Sequence, residues 1–306
     1  MNSEPPIAFR CAAVSPAPVM DGRWSIGEIS DRSPRETAHG GGPGGIGRLT
    51  ALLLVLSLAP LGRAQQATVL KGRNDVLVRG KAQYVFFYPG TGDSLRQRAR
   101  VLFAPGDGGW RGAAITMAET MTSWGYDVFG LDTKQYLESF TGTTTLRETD
   151  VMDDVRQIAD WLALHPKQLV TLVGWSEGAG LMALAAASQR RQEKYKGLLT
   201  MGLSDSSVLG WTWKDDLTYL TRRPPNEPAF SVLSLVDRIA PLPLVMLQST
   251  KDEYVSIEEA QKLYQRAREP KRIFMIDARN HRFDGNPGEF YERLREALEW
   301  INSLHR

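Results

Sequence analysis

From Val69 onward, short apolar runs alternate with amphipathic stretches. Residues 76–78 and 83–88 predict a pair of opening strands with Gly80 between them. Residues 100–104 form an apolar run ending in Pro105-Gly106, which predicts a strand entering a loop. Residues 113–124 predict a helix, because Ile115, Met117, Ala118 and Met121 recur near helical spacing and Gly125 stops it. Further strands are predicted at 128–131, 169–173, 198–203, 242–247 and 273–276. Thr149-Asp150 opens a long helix with an apolar stripe of Val151, Val155, Ile158, Trp161 and Leu162. Helices at 179–188 (alanine-rich), 257–268 and 287–303 complete the alternation. Continuous apolar strands separated by helices imply the α/β class, with a mainly parallel central sheet covered by helices on both faces.

The first quarter of the chain breaks this pattern. Residues 1–47 carry six prolines and eight glycines, a composition expected of disordered chain or of a start assigned too far upstream. Arg48 then precedes an apolar stretch, 49–61, whose only polar members are Thr50 and Ser57. Small residues at Gly62 and Ala64 follow. A positive charge, a short apolar segment and a small-residue site read as a secretory signal over 48–64, cleaved after Ala64. The apolar segment is too short to cross a bilayer. One domain, 65–306, remains, and its expected location is periplasmic or secreted. The only cysteine, Cys11, falls in the discarded part. A mature chain without thiols excludes cysteine catalysis and cysteine-ligated metals.

Charge narrows the classes further. The 306 residues hold 37 basic and 35 acidic side chains, without the basic surplus that a nucleic-acid partner demands. Arg96, Arg98 and Arg100, and Arg190 with Arg191, are expected on solvated faces or at a helix end. No metal or organic cofactor is expected.

The strand at 169–173 runs into Gly174-Trp175-Ser176-Glu177-Gly178 and then a helix. A GxSxG string at a strand-to-helix turn suits a nucleophile, because the strained turn projects the hydroxyl and the helix N-terminus faces a developing oxyanion. Ser176 is the candidate nucleophile. A serine needs a base, and only four histidines exist. His39 lies in the discarded segment, His305 at the terminus, and His165 at a helix end before Pro166. His281 lies in a polar loop after the last predicted strand, at the same sheet edge as Ser176. Asp252, following the 242–247 strand, is the first candidate for the orienting acid, and Asp205, past the preceding strand, is the alternative. The order Ser176, Asp252, His281 suits a serine–acid–histidine triad. Glu253 is expected only to cap or solvate its loop. Oxyanion donors are expected from the Glu177 amide and from Asp107 or Gly108 in the glycine-rich loop 105–110. The long connection 204–241 carries Trp211, Trp213, Tyr219, Pro224, Pro225 and Phe230. It reads equally as a lid and as a surface excursion with its own small core. Its aromatics could line a pocket, fill a core or touch a membrane surface.

The strand order, the elbow and the acid and histidine loops resemble the α/β-hydrolase fold across nearly all of 69–304. Gly106-Asp107-Gly108-Gly109-Trp110, then Gly130-Leu131-Asp132 and Tyr136, resemble more narrowly the bacterial virulence protein VirJ/AcvB family. That resemblance implies an exported hydrolase acting on aminoacylated phosphatidylglycerol, particularly the lysyl ester. The stretch 249–283 resembles carboxylesterase-like hydrolases more generally. The expected function is therefore an exported serine hydrolase of a small-molecule or lipid ester, with peptidase or thioesterase as variants of the same triad. The competing class is a periplasmic non-catalytic binding or secretion-accessory module on a hydrolase fold.

Overall fold

The chain divides into two units, Met1–Leu61 and Gly62–Arg306. The computed structural model describes residues 69–91, 99–142, 145–163, 168–188, 192–217 and 227–304, all within the second unit. The N-terminal segment and signal, Cys11, His39, His165, His305, Arg96, Arg98, Arg190, Arg191, Tyr219 and Pro224-Pro225 lie outside the described residues.

Among the described residues, ten strands and six α-helices follow in chain order: β1 Gly72–Val78, β2 Lys81–Tyr88, β3 Arg100–Ala104, α1 Ala113–Ser123, β4 Asp127–Leu131, α2 Thr133–Phe140, α3 Glu148–Leu162, β5 Val170–Trp175, α4 Glu177–Ala186, β6 Tyr195–Met201, β7 Ser206–Val208, β8 Ala229–Ser231, β9 Leu244–Ser249, α5 Ile257–Arg266, β10 Lys271–Ile276 and α6 Pro287–Ser303. Eight strands form one sheet in the order β1-β2-β4-β3-β5-β6-β9-β10, and β7 pairs with β8 separately. β2 runs antiparallel to β1 and β4, and the remaining neighbours are parallel.

The central strands are buried on both faces, which is why they read as continuous apolar runs. Alternate side chains feed two cores. Leu102, Leu172, Leu198, Leu244 and Met246 join Val151, Val155, Ile158 and Leu162 of α3 and most of α4. Val101, Phe103, Val173, Leu199, Val245 and Leu247 join Met117, Ala118 and Met121 of α1 and Phe290, Leu294, Leu298 and Ile301 of α6. Helix α4 is buried all round from Gly178 to Ala186. Its small residues let it lie close to the sheet, and α3 packs over it.

Four expectations need amendment. Arg100 is buried, not solvated: it pairs in register with Asp127 on β4, and its guanidinium lies 5.6 Å from the Phe129 ring centroid. Helix α2 and the β7–β8 pair are additional to the elements predicted from apolar spacing. In the 204–241 connection, Trp211 and Phe230 are buried in the main core and not in a small core of their own. Trp213 is 70% exposed.

Candidate active site

The carboxyl ends of β3, β5, β6, β9 and β10 meet at one edge of the sheet, where ligands of parallel sheets bind. The ladder carries on past three of these ends. Ser176 N–H donates to Met201 O at 3.0 Å, Gly202 N–H to Leu247 O at 3.0 Å, and Thr250 N–H to Ile276 O at 2.9 Å. The loops that leave the edge are thereby held in a fixed relation at their first residues.

Ser176 sits between β5 and α4 with φ 56° and ψ −124°, a left-handed backbone that a residue with a Cβ adopts only at a cost. Its neighbours explain how the turn closes. A Cβ on Gly174 would lie 2.4 Å from Ala179 Cα, and one on Gly178 would lie 2.1 Å from the Ala104 carbonyl oxygen. Both positions therefore demand glycine. Glu177 is the first residue of α4, so its N–H precedes the first intrahelical bond. From the other side Gly106 faces the serine: a Cβ there would come 3.1 Å from Ser176 Cβ and 3.5 Å from Oγ. The Gly106 carbonyl accepts from Gly109 N–H at 3.1 Å, so Asp107 and Gly108 form the tip of a tight turn that starts beside the serine.

His281 and Asp252 come together. His281 Nδ1 lies 2.7 Å from Asp252 Oδ2. The imidazole is buried against Gly202, where a Cβ would lie 2.4 Å from its Cε1, and the Tyr254 ring packs edge-on at 5.3 Å. Gln248 Nε2 also donates to Asp252 Oδ2, and the amides of Tyr254 and Val255 donate to Oδ1. Burial pushes the Asp252 carboxyl up, but the His281 bond and charge and the two amides outweigh it, and the group titrates below the ordinary aspartate value. His281 Nε2 is buried without a hydrogen-bond partner among the described residues, the Ser176 hydroxyl included.

The alternative acid is occupied elsewhere. Asp205 Oδ1 accepts from Ser231 Oγ at 2.7 Å and Leu233 N–H at 2.8 Å, tying the β7–β8 pair together. Glu253 does more than solvate its loop: its Oε2 accepts the His281 N–H at 2.8 Å. Asn280 shapes the same loop by accepting from the Arg282 and Asp284 amides. Gln248, Gly202 and Asn280 support the site without a sequence signature: Gly202 meets His281 from another loop, Gln248 reaches Asp252 from β9, and Asn280 folds its own loop.

The chain has the α/β-hydrolase fold. The solved structures similar to it include the hydrolase GrgF from Penicillium sp. sh18, at TM-score 0.56 and 14% identity over 76% of this chain and 98% of that one. Est1E from Butyrivibrio proteoclasticus matches at 0.55 and 13%, over 76% and 100% of the two chains. A membrane phospholipase A described as a bacterial virulence factor matches at 0.55 and 14%, over 76% and 86%. More narrowly, residues 99–218 match the family of the Bacterial virulence protein (VirJ). That stretch takes in the Gly106–Trp110 and Gly130–Tyr136 segments and the Ser176 elbow, and it stops before Asp252 and His281. Among curated proteins the chain has no significant match.

Proposed function

We propose that this chain is an exported serine hydrolase that cleaves a carboxylic ester through an acyl-enzyme. The observation that carries the reading is the pairing of a strained, elbow-held Ser176 with a buried Asp252–His281 couple at the same sheet edge. Ser176 Oγ attacks the acyl carbon while His281 Nε2 takes its proton. Asp252 accepts from Nδ1–H, which fixes the tautomer and stabilises the imidazolium. The Glu177 amide and the amide of Asp107 or Gly108 donate to the oxyanion. His281 then returns the proton to the leaving alcohol, and water hydrolyses the acyl-enzyme by the same route.

The VirJ-like segment and a phospholipase among the fold relatives favour a lipid ester, with aminoacylated phosphatidylglycerol as the substrate to try first. Export rests on the 48–64 segment; the secreted protein is expected to begin at Gln65 on N-terminal sequencing. The test of the chemistry is labelling of the purified protein by an active-site fluorophosphonate, alongside hydrolysis of simple esters, thioesters, peptides and aminoacyl-phospholipids. Wild type is expected to label at Ser176, and Ser176→Ala to lose labelling and at least about 10³-fold in kcat. A folded wild type that does not label, or hydrolysis unchanged in Ser176→Ala, overturns the reading. Capture of a partner that survives Ser176→Ala without any hydrolysis points to the accessory-module class.

A further inference from the structure

The side chain after the elbow serine turns away from the hydroxyl and bonds to another element. Glu177 Oε2 accepts from Ser207 Oγ at 2.9 Å and from Val208 N–H at 3.2 Å. Ser207 is buried, and it meets α4 a second time at Gly180, where a Cβ would lie 2.3 Å from Ser207 Oγ. Strand β7 therefore touches the first turn of α4 at two points, once through a carboxyl and once through the absence of a side chain. Its partner β8 places Phe230 in the main core, so β7 is itself anchored. A first-turn residue whose side chain is clamped in this way cannot rotate its own peptide group freely.

We propose that Glu177 is a positioning residue: its side chain straps β7 to the start of α4 and so holds the Glu177 N–H in place to donate to an oxyanion formed at Ser176. This rests on the serine-hydrolase reading and extends it to strand β7, which becomes part of the oxyanion apparatus. The strap needs an acceptor and not a charge, because a hydroxyl and an amide are its donors. A full negative charge one residue from a developing oxyanion would oppose it. Burial accordingly pushes the Glu177 carboxyl up, and Asp107 across the site adds to this, against the Val208 and Ser207 bonds and His281.

The test is the rate of fluorophosphonate labelling of the full chain, with thermal melting in parallel. Glu177→Gln keeps an acceptor oxygen and is expected to slow labelling by no more than about threefold. Glu177→Ala is expected to slow it by about 10- to 100-fold, short of the full loss of an oxyanion donor. Ser207→Ala removes one of the two bonds and should fall between them. Adding it to Glu177→Ala should slow labelling no further than about twofold, since both act through one strap. Labelling of Glu177→Ala at the wild-type rate, or Glu177→Gln as slow as Glu177→Ala, overturns the proposal. If Glu177→Ala does not fold, wild-type labelling of Ser207→Ala overturns it instead. A wild type that never labels sinks the hydrolase reading beneath it, which is a separate result.

Discussion

Asp252 accepts four hydrogen bonds on two oxygens: His281 and Gln248 on one, Tyr254 and Val255 amides on the other. An ionised carboxylate can only accept, so His281 Nδ1 must carry its hydrogen and Nε2 is left as the base. Asp252→Asn keeps the shape but presents an amide that can donate to Nδ1 and so favour the other tautomer. Its kcat is expected to fall by about 10³- to 10⁴-fold with the fold intact, as read by ester hydrolysis and circular dichroism. The same substitution bears on stability. Because the folded Asp252 titrates below its ordinary value, its ionic contribution is present above the normal carboxylate range and is lost as pH falls through the lowered value. The stability gap between wild type and Asp252→Asn should thus be widest near neutral pH and close on acidification. A gap that widens in acid refutes this assignment. Sequence alone left Asp205 in contention, since both acids follow buried strands; the choice turns on which loop reaches His281 and which folds back on Ser231.

At the level of elements, the loop between β3 and α1 is held by its neighbours as much as by its own glycines. Trp110, within it, lies on the bare face of Gly130 in β4, where a Cβ would sit 1.9 Å from the indole Cη2. The same ring stacks on Phe86 and donates from Nε1 to Tyr88 Oη. Gly109 meets Asp132 in the same way, at 2.7 Å from its Oδ1. The family-like segments 106–110 and 130–132 are thus two halves of one contact. Gly130→Ala should cost about 1–3 kcal/mol in urea unfolding and slow fluorophosphonate labelling, because Trp110 must shift and carry the turn at Gly106 with it. Adding Trp110→Phe, which removes the overlapping ring, should recover part of both losses; strictly additive losses would show that the contact is not what matters. Helix α2 was not predicted, because Tyr136, Leu137 and Phe140 span little more than one turn; its local signal is the cap, Asp132 accepting from Gln135 N–H. The three-residue strands β7 and β8 have no room for an alternating pattern, so nothing in Ser-Ser-Val or Ala-Phe-Ser announced them.

Across the whole molecule, the parallel strands were the most legible part, because burial on both faces leaves little but apolar residues in them. The sheet edge that gathers Ser176, Asp252 and His281 follows from that topology, whereas the contacts of Gly202 with His281 and of Ser207 with Glu177 became visible only when separate elements were brought together. A chain starting at Gln65 keeps every strand of the described residues, and its melting temperature should equal that of the full chain within about 2 °C. Starting at Lys81 instead removes β1, with the buried Val76 and Val78, and uncovers β2 as a sheet edge. It also removes Arg79, whose guanidinium pairs with Asp154 at 3.0 Å, and Asp154 is buried deeply enough for desolvation to raise its pKa. Arg79 is 32% exposed, so losing this pair costs about 1–2 kcal/mol, which lowers melting by about 2–8 °C for a domain of this size before the lost apolar contacts are added. Differential scanning calorimetry of the two truncations separates the cases: equal melting of both would show that β1 is dispensable, and a large loss already at Gln65 would show that residues before it belong to the folded unit.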